Sequence, residues 1–193
     1  MKNKIILIGG GGHCHSVIDA IEQAAEYEIV GIIDHIDKVG TNVMSYSVIG
    51  TDDDLVAMVD DIEYAFITLG QIQTAVVRKS LFERLMKLGY KVPNIISPLA
   101  YVSRSATLGI GNFIGHQAIV NANAVIHDNC IINTKALIEH DAFIDSHCHI
   151  ATGAIINGGC KVHSEVFVGS AATTKQNAII ESMSFIKAGS IVK

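Results

Sequence analysis

The sequence predicts two architectures in tandem: an α/β first domain over residues 1–97 with a small, Rossmann-like parallel sheet, then an all-β parallel β-helix of hexapeptide repeats over 98–193. Three observations predict this. From Val102 to Val192 every sixth residue is apolar; fifteen of the sixteen members are Val, Ile or Leu, and Thr174 is the exception. Four residues after each comes a small residue, from Ala106 through Cys130, Cys148 and Cys160 to Ser190, broken only by Asn112 and Val166. A period of six suits neither an α-helix nor a sandwich strand, and an uninterrupted hexad is the mark of a solenoid built from short strands. Upstream, short apolar runs alternate with helix-period segments, the pattern of a sheet with helices on its faces.

The first domain's elements follow in order. Lys4 to Ile8 is an apolar run ending in Gly9-Gly10-Gly11-Gly12, so a strand meets a tight turn. Val17, Ile18, Ile21, Ala24 and Ala25 give His13 to Glu26 the stripe of an amphipathic helix. Glu28 to Ile33 is a second strand closed by Asp34, and Thr51-Asp52-Asp53-Asp54 is a capping box ahead of Leu55, Val56, Val59 and Ile62. Tyr64 to Leu69 is a third strand, ending at Gly70. Ile72, Ala75, Val76, Phe82, Leu85 and Met86 mark a helix stopped by Gly89, and Val92 to Ile96 reads as a last strand. Pro93 and Pro98 mark the domain boundary.

Composition narrows the function. With 49% hydrophobic and 17% charged residues, the chain is globular rather than disordered. A net charge of −5 offers no basic surface for nucleic acid. The apolar stretch after Met1-Lys2-Asn3-Lys4 is too short for a signal peptide or a membrane span, so a cytoplasmic protein is expected. Cys130, Cys148 and Cys160 fill small-residue slots of the hexad as core, which leaves Cys14 as the one cysteine expected to meet solvent.

Because strand side chains alternate, the residue between the two inward series points outward. These residues include Phe113, Ile119, Val125, Ile131, Leu137, Phe143, Ile155, Phe167, Ile179, Phe185 and Ile191. That much apolar surface predicts burial against other chains, as a closed ring. His149 is a polar interruption of this series, expected on the face that meets a neighbour.

Two motifs carry chemistry. Gly9 and Gly11 match the first two glycines of G-x-G-x-x-G, but Cys14 stands at the third. Between a strand and a helix, such a loop either presents backbone N–H groups to a phosphate or is simply a tight turn; a full dinucleotide site is disfavoured. Asp34 ends the next strand, where an acid meets a ribose hydroxyl in dinucleotide folds. His140 lies in Leu137-Ile138-Glu139-His140-Asp141, flanked by carboxylates that can fix its tautomer and raise its basicity. It reads as a general base or as a solvated turn histidine. His127 and His163 could share a face, but Val168 occupies the position of a third zinc ligand, so no metal is expected.

Ile8-Gly9-Gly10-Gly11-Gly12-His13, Ile33-Asp34, Ile67-Thr68-Leu69-Gly70 and Asn133-Thr134-Lys135-Ala136-Leu137-Ile138-Glu139-His140-Asp141 occur in one order. Together they resemble the bacterial hexapeptide-repeat sugar acetyltransferases, the UDP-4-amino-sugar N-acetyltransferases and the sialic acid O-acetyltransferases. The resemblance implies a left-handed β-helix with three hexads per coil, a homotrimer with active sites between subunits, and acetyl-CoA as co-substrate without a permanent cofactor. It implies His140 as general base with Asp141 raising its basicity, and His149, Ser170 and Ala188 along the coenzyme. It assigns the sugar-nucleotide pocket to Gly11, Gly12, His13, Asp34, His35 and Gly70. The expected reaction is acetylation of the 4-amino group of a UDP-linked sugar in surface-glycan biosynthesis. O-acetylation of sialic acid is the alternative, and a non-catalytic sugar-nucleotide-binding trimer a second. Three features depart from the family: Asp141 where Glu is common, Asp34-His35 where two acids are common, and an end at Lys193 where relatives continue into a Gly-x-Pro-Ala tail.

Overall fold

The computed structural model describes residues 2–193. They form two compact units: one runs to Gly70 and includes Arg78–Pro93, and the other comprises Gln71–Val77 with Asn94–Lys193.

The first unit contains β1 (Asn3–Ile8), α1 (Gly12–Ala24), β2 (Tyr27–Ile33), β3 (Asn42–Val43), β4 (Tyr46–Gly50), α2 (Leu55–Met58) and β5 (Tyr64–Ile67), followed by α3 (Val76–Leu88), which belongs to this unit from Arg78 onward. The sheet order is β3-β4-β2-β1-β5. The strands β4, β2, β1 and β5 run parallel, and Ile5 to Ile8 of the central β1 are all buried, as befits a strand covered on both faces. The sheet is mixed rather than wholly parallel, because β3 pairs antiparallel with β4. Its hairpin turns through Met44 at φ +53°, a left-handed residue with none of the Asn-Gly character that marks such turns in a sequence. Helix α2 is shorter than its apolar pattern: the Thr51–Asp54 capping box forms, with the Thr51 N–H donating to Asp54 Oδ2 at 2.7 Å, but the helix ends at Met58. Ile72 lies outside α3 and is exposed.

The strand expected over Val92 to Ile96 is divided. Lys91 alone bridges Tyr64 in the first unit, and Pro93, lacking an N–H, interrupts the ladder. Ile95–Ile96 (β6) pairs instead with Phe113–Ile114 in the second unit.

The second unit is a left-handed parallel β-helix of three sheets with six, five and six two-residue strands. Each strand pairs with the one 18 residues on, as in Ile119↔Leu137↔Ile155, so three hexads make one coil. The two inward series meet in one core, from Ile114 and Ala118 to Ala178 and Ile180. Thr174, the polar member, is buried with its hydroxyl accepting the Asn157 backbone N–H at 2.8 Å. The thiols of Cys130, Cys148 and Cys160 are buried and lie 3.1, 3.0 and 3.0 Å from the carbonyls of Asp145, His163 and Lys175 on the next coil, a weak bond that alanine could not make.

The corners repeat as strictly as the core. At the fourth residue of fourteen consecutive hexads, Gly111 to Gly189, φ lies between +53° and +69°. Ten of these residues are not glycine, among them Gln117, Lys135, Glu165 and Met183. The outward series is less uniform than expected: Phe113, Ile131 and His149 are buried within the chain, while Tyr101, Ile119, Ile179, Phe185 and Ile191 remain exposed.

Candidate active site

In the first unit, the glycine loop joins β1 to the N-terminus of α1. Gly9 needs φ +103°, and a Cβ there would strike Leu69 Cγ at 2.7 Å. At Gly10 a Cβ would meet Val43 at 2.8 Å and the Asp34 carboxylate at 3.0 Å. Gly11 and Gly12 differ, since a Cβ on either would meet nothing within 4 Å. Gly11 is the N-cap of α1 and supplies no side-chain cap, and the first turn holds no acid. The open side of the loop therefore offers backbone N–H groups and the positive helix end to an anion. Gly70 packs against this site, its Cβ position 3.7 Å from His13 Cβ, and His35 is exposed beside Asp34.

Asp34 ties the loop together. Its Oδ2 accepts from the Gly10 N–H at 2.8 Å and from Lys38 Nζ at 3.0 Å, and its Oδ1 from the His35 N–H at 2.7 Å. Burial pushes this carboxyl up, but the His35 and Gly10 N–H groups and the Lys38 ammonium outweigh burial and hold it below the ordinary carboxylate value. Thr68 and Cys14 support the loop from beneath, with the Thr68 hydroxyl 2.5 Å from the Gly9 carbonyl. Cys14 is buried, not solvent-facing as expected, because the first turn of α1 directs it toward Thr68; burial pushes its thiol up to about 11.

In the second unit, His140 occupies a corner of the β-helix in the turn Glu139–Ala142, closed by the Ala142 N–H to the Glu139 carbonyl at 3.3 Å. Asp141 is the left-handed residue of that turn, at φ +58°. Its Oδ2 lies 2.8 Å from His140 Nδ1, so the carboxylate accepts the Nδ1–H and leaves the Nε2 lone pair outward. Asp141, not Glu139, is thus the carboxylate that holds the ring. Glu139 Oε2 instead accepts the His140 backbone N–H and the Asn121 amide, at 3.2 and 2.9 Å. The bond to Asp141 raises the pKa of His140 above its ordinary value; the same bond, helped by Asn123 Nδ2 at 3.3 Å, lowers that of Asp141. A neutral imidazole with one nitrogen tied to a carboxylate and the other free can abstract a proton.

His149 is not an open-face residue. Its Nδ1–H donates to the Gln71 carbonyl at 2.6 Å, and its Nε2 accepts from Asn133 Nδ2 at 3.2 Å, which fixes the neutral tautomer. Its ring meets Phe167 edge-on at 5.2 Å, and Phe167 stacks on Phe185 at 5.1 Å. Ser170 and Ala188 are exposed and occupy equivalent corners of successive coils; the Ser170 carbonyl accepts the Gly189 N–H at 2.8 Å. His127 packs edge-on against Phe143 at 4.9 Å.

Sequence reasoning missed Asn121, Asn123 and Gln71. The two asparagines lie 18 residues before Glu139 and Asp141, so the coil length pairs each with its carboxylate. Gln71 carries no such signal, since it reaches His149 across 78 positions. Among the described residues, no helix is long and apolar enough to cross a membrane.

Residues 4–85 match the sequence family of the PglD N-terminal domain. Among solved structures, the acetyltransferase domain of PglB from Neisseria gonorrhoeae FA1090 in complex with acetyl coenzyme A is 29% identical, with a TM-score of 0.91 over 100% of this chain and 93% of that one. A mutant of perosamine N-acetyltransferase from Caulobacter crescentus in complex with CoA and GDP-perosamine is 25% identical, with a TM-score of 0.72 over 98% of this chain and 92% of that one. WeeI from Acinetobacter baumannii AYE shares the fold at 20% identity, with a TM-score of 0.78 over 100% and 97% of the two chains. No curated protein sequence matches the chain. These matches bear out the resemblance to hexapeptide-repeat sugar acetyltransferases read from Gly9–His13 and Asn133–Asp141.

Proposed function

We propose that this chain, which pairs a PglD-type N-terminal domain with an acetyltransferase β-helix, transfers the acetyl group of acetyl-CoA to an amine of a sugar. The observation that carries this reading is the His140–Asp141 pair, with Nδ1 held at 2.8 Å and Nε2 free to take a proton. In the reaction, His140 Nε2 removes a proton from the sugar amine as the nitrogen attacks the thioester carbonyl. The tetrahedral intermediate then collapses, the carbon–sulfur bond breaks, and the proton on His140 passes to the departing thiolate. The products are an N-acetyl sugar and free coenzyme A. Base assistance of this kind contributes about 10²–10⁴-fold, and positioning of the two substrates supplies more.

The acceptor is a nucleotide-linked amino-sugar, most simply the UDP-linked 4-amino compound of surface-glycan synthesis. The open N-terminus of α1 at Gly11 and Gly12 supports this by offering a place for a diphosphate, with His13, Asp34, His35 and Gly70 around it. Crystals of the perosamine enzyme hold a GDP-sugar, so the base of the nucleotide is an open variable. His149, Ser170 and Ala188 would line the coenzyme. The exposed outward residues support a homotrimer in which coenzyme and sugar meet between subunits. Thiol release from acetyl-CoA, followed with UDP- and GDP-linked 4-amino-sugars and with sialic acid, tests the reading. Turnover should appear with an amino-sugar nucleotide. Turnover with sialic acid alone would make the enzyme an O-acetyltransferase, and none with any acceptor would leave a binding protein.

A further inference from the structure

Fifteen positions from Arg104 to Ala188 are the third residue of a hexad, and fourteen of them carry a side chain. The exception is Gly158, which lies one coil beyond His140, 18 residues on in the sequence. Other glycines of the β-helix have evident backbone reasons. Gly153, Gly159 and Gly189 need positive φ, and a Cβ at Gly109, Gly115 or Gly169 would strike the main chain of the next coil at 2.9 Å or less. Neither reason applies at Gly158. Its φ lies outside the left-handed range, and the three nearest atoms to a Cβ built there all belong to one imidazole: His140 Cε1 at 2.7 Å, Nε2 at 2.7 Å and Nδ1 at 3.3 Å. The backbone would accept alanine, and only the ring would not.

We infer that Gly158 is a positioning residue: the side chain it lacks leaves the space in which the Cε1–Nε2 edge of His140 rests on the following coil, fixing the direction in which Nε2 points. The Nδ1–Asp141 bond alone leaves the ring free to swing about that bond, and the flat main chain at Gly158 is the second restraint. Ordinary contact begins near 3.4 Å, so a methyl group there displaces Nε2 by about 0.7 Å, and a misplacement approaching 1 Å at a reacting atom costs on the order of 10²-fold. The catalytic consequence rests on the acetyl-transfer reading; the steric relation between Gly158 and the ring does not.

Gly158→Ala tests this with three readouts. Turnover should fall about 10- to 100-fold while the KM for acetyl-CoA stays within about threefold, because the substitution leaves the proposed coenzyme-lining residues His149, Ser170 and Ala188 unaltered. In the ligand-free protein, the nitrogen-15 NMR signals of the His140 ring should change, and its titration midpoint should fall toward that of an unpaired histidine as the ring leaves Asp141; Asp141 and Glu139 are the charged groups facing it. Third, Gly158→Ala should lower the thermal midpoint of the native protein but not that of His140→Ala, in which the ring is gone. Unchanged ring signals, or an equal loss of stability in both backgrounds, would overturn the inference. If Gly158→Ala alone does not fold, the double variant still decides: it must fold like His140→Ala. Were no acceptor ever acetylated, the ring signals and the stability comparison would still stand or fall on their own, separating this inference from the proposed reaction.

Discussion

At the scale of single residues, the site depends on one short bond. His140 and Asp141 are neighbours in sequence, and the left-handed turn at Asp141 lets adjacent side chains meet at 2.8 Å. His140→Ala should therefore cost at least about two orders of magnitude in turnover while leaving the hexad core intact, since the ring is exposed. Near-normal turnover in that variant would remove His140 from the reaction. The pH dependence follows from the direction of the shift. A base must be neutral to accept a proton, and Asp141 raises the pKa of His140 above 6.5. Turnover should accordingly rise with pH through a midpoint above that value and level off beyond it. Asp141→Asn removes the carboxylate, so the midpoint should move to lower pH as the plateau drops, because the tautomer is no longer held. A plateau loss with an unmoved midpoint would mean that Asp141 does not set the basicity of His140.

At the scale of elements, what was legible and what was not have different causes. Burial leaves a period in the sequence, so the hexad core, including its three cysteines, could be read directly. Five of the corners could not, because Gln117, Lys135, Glu165, Ala171 and Met183 are residues with no preference for the left-handed region they occupy. Here the backbone hydrogen bonds between coils, such as Lys135 N–H to the His116 carbonyl at 2.9 Å, override local preference. The β3–β4 hairpin at Met44 escaped for the same reason. The His140–Asp141 pair was legible as adjacency, whereas the burial of His149 was not, because its cover at Gln71 is remote in sequence. Strain at the corners is measurable. A non-glycine residue in the left-handed region costs on the order of 1–3 kcal/mol, and asparagine tolerates it best. Met183 is exposed at φ +59°, so Met183→Asn should raise stability by about 0.5–1 kcal/mol, a rise of roughly 1–4 °C in thermal midpoint. No rise would mean that the coil stacking absorbs the strain. Conversely, Ala154→Leu, in the fully buried small-residue slot, should cost about 1–3 kcal/mol through overpacking.

At the scale of the whole molecule, the chain exposes large apolar side chains on the outer faces of its β-helix. Ile179 and Ile191 are 59% and 73% exposed, and Tyr101, Ile119 and Phe185 join them on the outer faces of the β-helix, whereas Phe113 and Ile131 are already buried. The proposed trimer would cover the exposed set. The two sets separate by experiment. Ile119→Glu and Ile179→Glu place a carboxylate on two different sheets at positions that assembly would bury, where an unpaired charge costs several kcal/mol. Each alone should weaken the oligomer, and the pair should yield single chains by light scattering with the β-rich circular dichroism retained, because neither side chain enters the core. If the site is built between subunits, acetyl transfer must fall with the same protein-concentration dependence as assembly, and raising the concentration of a single variant must restore both together. Full turnover in a preparation shown to be monomeric would place the entire reaction within one chain and leave the outer apolar faces without a catalytic role.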